Sequence, residues 1–148
     1  MSRTPRGERR HSPIGVVVLL LECMFDRQSL APLRRDLGRC GRANGLNDRL
    51  LSDLVLAVNE ITTNAVRHGG GRGRLRLWSD EHSLWCEVGD DGPGIPSERL
   101  DETRRRSPGP IGGNGLWLTH QICDDVDIET GGLGTRVVMR YGLRPAIS

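Results

Sequence analysis

Hydrophobic positions along this chain change their spacing several times, and each change marks an element. Residues 14–25 begin with an apolar run rich in Val and Leu, the pattern of a buried strand. Ser29 then stands where a helix cap belongs, and Leu30, Leu33 and Leu37 fall on one face of a helix running to about Ala43. Asn44-Gly45 ends it. Asn47 or Asp48 opens a second helix, in which Leu50, Leu51, Leu54, Val55, Val58, Ile61 and Ala65 recur at helical spacing. Its end is expected near His68, before the run Gly69-Gly70-Gly71. Residues 74–78 and 84–88 read as two strands joined by a polar turn at 79–83, a hairpin that delivers Asp90 at a strand end. Between Gly92 and Gly113 the chain carries four prolines and three consecutive arginines, Arg104 to Arg106, which is loop composition. A short helix is expected over 116–123. Residues 126–130 and 135–141 form a closing hairpin around 131–134. No internal repeat is present.

A few helices followed by a run of hairpin-connected strands predict an α/β two-layer sandwich, with helices on one face of a mixed, mostly antiparallel sheet. At 148 residues the chain is expected to form one domain, burying roughly 68–70% of its unfolded surface. Residues 1–12 are polar and arginine-rich and are expected to be a disordered leader. The domain is placed at 13–143 and a loose tail at 144–148.

Composition changes this picture little. The net charge is +2 and every positive side chain is arginine, too weak a balance to imply nucleic acid. No helix carries the dense basic face of a DNA reader. Cys23, Cys40, Cys86 and Cys123 show neither C-x-x-C nor metal-ligand spacing and are read as free thiols in a reducing compartment. The apolar run from Ile14 to Leu21 is far short of the ~20 residues a membrane span needs. Glu22 follows it with no cleavage site. A cytoplasmic location without membrane contact is therefore expected.

Three short clusters carry candidate chemistry. In Glu60-Ile61-Thr62-Thr63-Asn64-Ala65, Glu60 and Asn64 are four apart on a helix and project from one face. An amide oxygen can complete the oxygen shell of a Mg²⁺ that keeps phosphate and water ligands, and a neighbouring carboxylate can polarise a hydroxyl for in-line attack. In Asp90-Asp91-Gly92-Pro93-Gly94 a carboxylate at a strand end can accept from an exocyclic amine such as that of adenine. Gly92 and Gly94 let the backbone approach a flat ring. Gly112-Gly113-Asn114-Gly115-Leu116 leads into a helix, whose first amides and dipole favour phosphate. It is not a Walker loop, because the chain has no lysine. His68 is read as a helix-end residue and the tryptophans as core or sheet-face residues.

In order and spacing these clusters resemble the N, G1 and G2 boxes of the ATPase superfamily shared by gyrase, the heat-shock chaperones, MutL and histidine kinases. Asn64-Ala65-Val66-Arg67-His68-Gly69 and Gly113-Asn114-Gly115-Leu116-Trp117-Leu118 are similar to the branch of small anti-sigma factor serine/threonine kinases; Ile61 replaces the leucine usual in the first box. The resemblance spans roughly residues 30–141 and implies a Bergerat-type ATP-binding fold. Carried over residue by residue, it implies Asn64 as Mg²⁺ ligand and Glu60 as general base. Asp90 would hold adenine, with Gly92 and Gly94 shaping its pocket and Thr135 near the base. Gly113, Gly115 and Leu116 would lie along the phosphates, and residues 96–111 would form a lid. It further implies ATP and Mg²⁺ as cofactors and a homodimer. The implied partners are a sigma factor that is sequestered and an anti-anti-sigma (STAS-type) protein phosphorylated on serine. Two other readings remain open: a non-catalytic or nucleotide-independent interaction module, and a detached histidine-kinase ATPase domain acting on a separate phosphoacceptor chain.

Overall fold

A computed structural model describes residues 16–95 and 123–143. Five strands form one sheet: β1 (Val18–Asp26), β2 (Arg72–Ser79), β3 (Ser83–Asp90), β4 (Asp125–Gly131) and β5 (Gly134–Gly142). Two helices, α1 (Leu30–Ala43) and α2 (Asp48–His68), complete the two-layer α/β architecture. The order across the sheet is β1-β2-β3-β5-β4. The expected mostly antiparallel character goes further here, since each of the four described pairings is antiparallel.

Alternation along the strands explains the layering. Leu75 and Leu77 on β2, Leu84, Cys86 and Val88 on β3, and Val137, Met139 and Tyr141 on β5 all face the helices and are buried. Against them α1 sets Leu33 and Leu37, and α2 sets Leu51, Leu54, Ala57, Val58, Ile61 and Ala65. Burying a leucine of this kind stabilises the fold by about 1.5–3 kcal/mol. On the opposite face Trp78 and Trp85 stack with ring centroids 6.1 Å apart, next to Val138. Around them runs a lattice of cross-strand ion pairs in which Arg76 meets Glu22 and Glu87, and Arg136 meets Glu87 and Glu129.

The ends of α2 are well defined, which matters because this helix carries the first candidate cluster. The Asn47 side chain accepts from the Leu50 N–H at 2.8 Å, satisfying one of the amides a helix start leaves unpaired. At the other end the Gly69 N–H donates to the Ala65 carbonyl at 2.8 Å. Ser29 occupies the cap position of α1 without a side-chain cap bond. Its hydroxyl instead accepts from the Asp26 N–H at 2.8 Å, while Asp26 Oδ1 accepts from the amides of Gln28 and Ser29. This reciprocal box turns the chain from β1 through a short 3-10 turn into α1.

The four cysteines are free. Burial raises the Cys86 thiol and, before any other cause, raises that of Cys123 to about 12. Among the described residues no helix is long and apolar enough to cross a membrane. The expected leader at 1–12, lid at 96–111 and tail at 144–148, the third glycine cluster, Trp117 and all but the last residue of the helix expected over 116–123 lie outside the described residues.

Candidate functional site

Alternation carries the helix-facing side of β3 from Val88 to Asp90 at the strand end, and pairing places Asp90 opposite Thr135 and Val88 opposite Val137 on β5. The C-terminal turns of α2 pass over this corner. Together they enclose a cavity of about 460 Å³ whose wall includes Ile61, Asn64 and Ala65 from α2, Val88 and Asp90 from β3, and Thr135 and Val137 from β5. Pro93, Gly94 and Ile95 close one side, and Arg67, His68 and Gly69 another. An apolar lining with a few convergent polar groups, at this volume, is the usual form of a small-ligand site.

Two close approaches make the cavity. Gly69, at the end of α2, lies against Gly92, in the turn after Asp90; a Cβ on Gly92 would overlap the Gly69 backbone, and one on Gly69 would overlap the Asp90 carboxylate. A larger residue at position 92 would force the helix end away from the turn, and one at position 69 would displace the Asp90 carboxylate. Gly94 has φ +90°, and a Cβ there would run into the Gly131 carbonyl oxygen. The turn is thereby pressed onto the β4–β5 hairpin, where the Ile95 N–H donates to Thr130 Oγ1 at 2.7 Å.

The electrostatics centre on Asp90. Burial raises its carboxyl above the usual aspartate range; the backbone N–H groups of Gly92 and Thr135 draw it back down, Asp91 pushes it up and Arg74 lowers it. The Gly92 amide donates to Asp90 Oδ1 at 2.9 Å. Asp91 turns outward, 3.3 Å from Arg74, and both side chains are largely exposed. So of two adjacent aspartates one lines the cavity as a hydrogen-bond acceptor and the other belongs to the surface.

Of the residues singled out in the sequence, Asn64, Asp90, Gly94 and Thr135 meet in this one cavity. Gly92 contributes from beneath, through its contact with Gly69. Glu60 sits one turn before Asn64 on α2, half-buried and outside the cavity wall. Gly113, Gly115 and Leu116 fall outside the described residues. Sequence reasoning assigned no part in a site to Arg67, although it stands three residues after Asn64, a spacing that brings side chains together on a helix. Ile61 and Ala65 stood in the first cluster without a contact assigned to them, and Val88 and Val137 read as strand residues; all four form the apolar part of the wall.

Residues 24–141 match the family of histidine kinase-like ATPase domains. The chain belongs to this family. No curated protein sequence matches it. Among solved structures, the RsbU and RsbW domains of Rv1364c from Mycobacterium tuberculosis superpose with a TM-score of 0.61 at 19% identity, over 85% of this chain and 32% of that one. This ATPase-type domain therefore spans about a third of that protein's length. The mycobacterial sensor histidine kinase MprB superposes with a TM-score of 0.53 at 22% identity, over 83% of this chain and 99% of that one. At these identities both likenesses speak for the fold.

Proposed function

We propose that this protein is an ATP-dependent regulatory kinase of the anti-sigma factor type, holding a sigma factor and phosphorylating a serine on an anti-anti-sigma partner. The observation that carries the nucleotide part is the convergence of Asn64, Asp90 and Thr135 on one glycine-edged cavity. The Asp90 carboxylate is an acceptor suited to the adenine amine, the apolar walls from Ile61, Val88 and Val137 suit the ring faces, and Gly94 leaves the edge open. Asn64 faces the same cavity from α2 and would hold Mg²⁺ through its amide oxygen. When bound, that ion neutralises charge on the phosphate oxygens. Gly113, Gly115 and Leu116 would follow the phosphates, and Glu60 would take the proton of the attacking serine hydroxyl.

The choice of branch rests on Asn64 to Gly69 and Gly113 to Leu118, which resemble the anti-sigma kinases, and is supported by the fold shared with a structure containing an RsbW domain. A second reading, a histidine-kinase-type domain, is favoured by the fold shared with MprB, which this chain covers almost throughout. Phosphoryl transfer distinguishes them. With γ-labelled ATP and a candidate anti-anti-sigma protein, the label should be acid-stable, and Glu60→Ala should abolish transfer while sparing nucleotide binding. Acid-labile label would move the protein to the histidine-kinase reading. ATP binding without transfer to any partner would leave a binding module.

A further inference from the structure

Thr130 has no place in the cavity wall, yet its hydroxyl joins two parts of that wall. Thr130 and Thr135 are cross-strand partners beside the closing Gly131–Gly134 pair, with their Oγ1 atoms 2.8 Å apart. The same Thr130 oxygen accepts from the Ile95 N–H at 2.7 Å. A Cβ on Gly94 would stand 3.0 Å from it, so the turn after Asp90 rests directly on this hydroxyl. Thr130 is thus held between Ile95 and Thr135, both of which line the cavity.

A hydroxyl has one proton and two lone pairs. The Ile95 N–H occupies one lone pair of Thr130. Either threonine can be the donor in the contact between them; because hydrogen bonds in a chain polarise one another, the Ile95 N–H on Thr130 favours the arrangement in which the Thr130 proton goes to Thr135 Oγ1. Thr135 is then an acceptor on its hairpin side and keeps its own proton to donate into the cavity. Asp90, its register partner on β3, presents an acceptor beside it.

We propose that Thr130 is a positioning residue for base selection: it fixes the Thr135 hydroxyl as a donor, so that Asp90 and Thr135 form an acceptor–donor pair matched to a 6-aminopurine. The amine of such a ring donates to Asp90 and its N1 accepts from Thr135. A 6-oxopurine reverses both, setting its oxygen against the carboxylate and its N1–H against the hydroxyl proton. Leaving donors and acceptors wrongly paired in a closed site is the strongest form of small-ligand discrimination. The inference rests on the nucleotide reading of the proposed function.

Calorimetric titration with Mg-ATP and Mg-ITP, which differ at this edge of the ring, tests it on the wild type, Thr130→Val and Thr130→Ser. The wild type should prefer Mg-ATP. Thr130→Val should weaken Mg-ATP by about fivefold, the worth of one ordinary hydrogen bond, without weakening Mg-ITP, and Thr130→Ser should restore the preference. An equal loss for both nucleotides would show a packing role only and overturn the proposal. A wild type that binds both equally would overturn it while leaving the nucleotide site standing. A wild type that binds neither would remove the nucleotide reading itself and this inference with it. Should Thr130→Val fail to fold, Thr130→Ala removes the hydroxyl without adding a methyl group against Ile95, and the same ratio is read.

Discussion

At Asp90 two influences oppose each other: burial disfavours the charge, and the amides of Gly92 and Thr135 favour it. The net effect raises the folded-state pKa above its unfolded value, so the folded state binds the proton more readily than the unfolded one. The stability this group contributes is therefore complete below the ordinary aspartate value and is lost as pH rises through the raised one. In the ligand-free protein Asp90→Asn should hold or raise the melting temperature at neutral pH, with its advantage over the wild type growing as pH rises across that window. Mg-ATP affinity should show the opposite dependence, falling as acid protonates the acceptor, and at a higher pH than an ordinary aspartate would give. Thermal melts and titrations across pH check both; an Asp90→Asn variant that melts lower than the wild type at neutral pH would contradict this balance. A residue that destabilises the empty fold but improves the loaded one is what a binding site predicts.

Among the elements, α2 links the core to the site. Its apolar stripe was legible because Leu54, Val58, Ile61 and Ala65 recur at helical spacing, and the same spacing put Asn64 beside that stripe. Its start was legible from Asn47, which does cap it. Asn47→Ala should destabilise the protein by about 1 kcal/mol in urea denaturation while leaving Mg-ATP affinity nearly unchanged, because the cap lies five turns from Asn64 at ~3.6 residues per turn. A large loss of affinity at retained stability would mean that the helix transmits more than its position. The strands were less legible at their ends. β2 starts at Arg72, earlier than its apolar residues suggest, because pairing with Phe25 and Asp26 of β1 extends it through polar Arg72 and Gly73. Gly73 is required there because a Cβ would meet both the Gly89 carbonyl oxygen and the Phe25 ring at 2.6 Å. No local pattern announces such a contact.

For the molecule as a whole, the sequence displayed the layers and the order of the boxes, because both follow from local periodicity and short clusters. It did not display what brings the first two boxes and Thr135 together. Asp90 and Thr135 are far apart along the chain, and only the β3–β5 pairing sets them side by side. The packing of Gly92 under Gly69 and the Thr130 bridge to Ile95 are likewise long-range events. Glycine and threonine are common for many local reasons, so neither residue signals them. The central claim is that this corner is an adenine-nucleotide site, and the most direct test is calorimetric titration of the wild type with Mg-ATP beside Asp90→Asn. Saturable binding to the wild type, weakened at least tenfold in Asp90→Asn while the variant remains folded, is the predicted result. No binding to a folded wild type, or equal binding to both proteins, would contradict it.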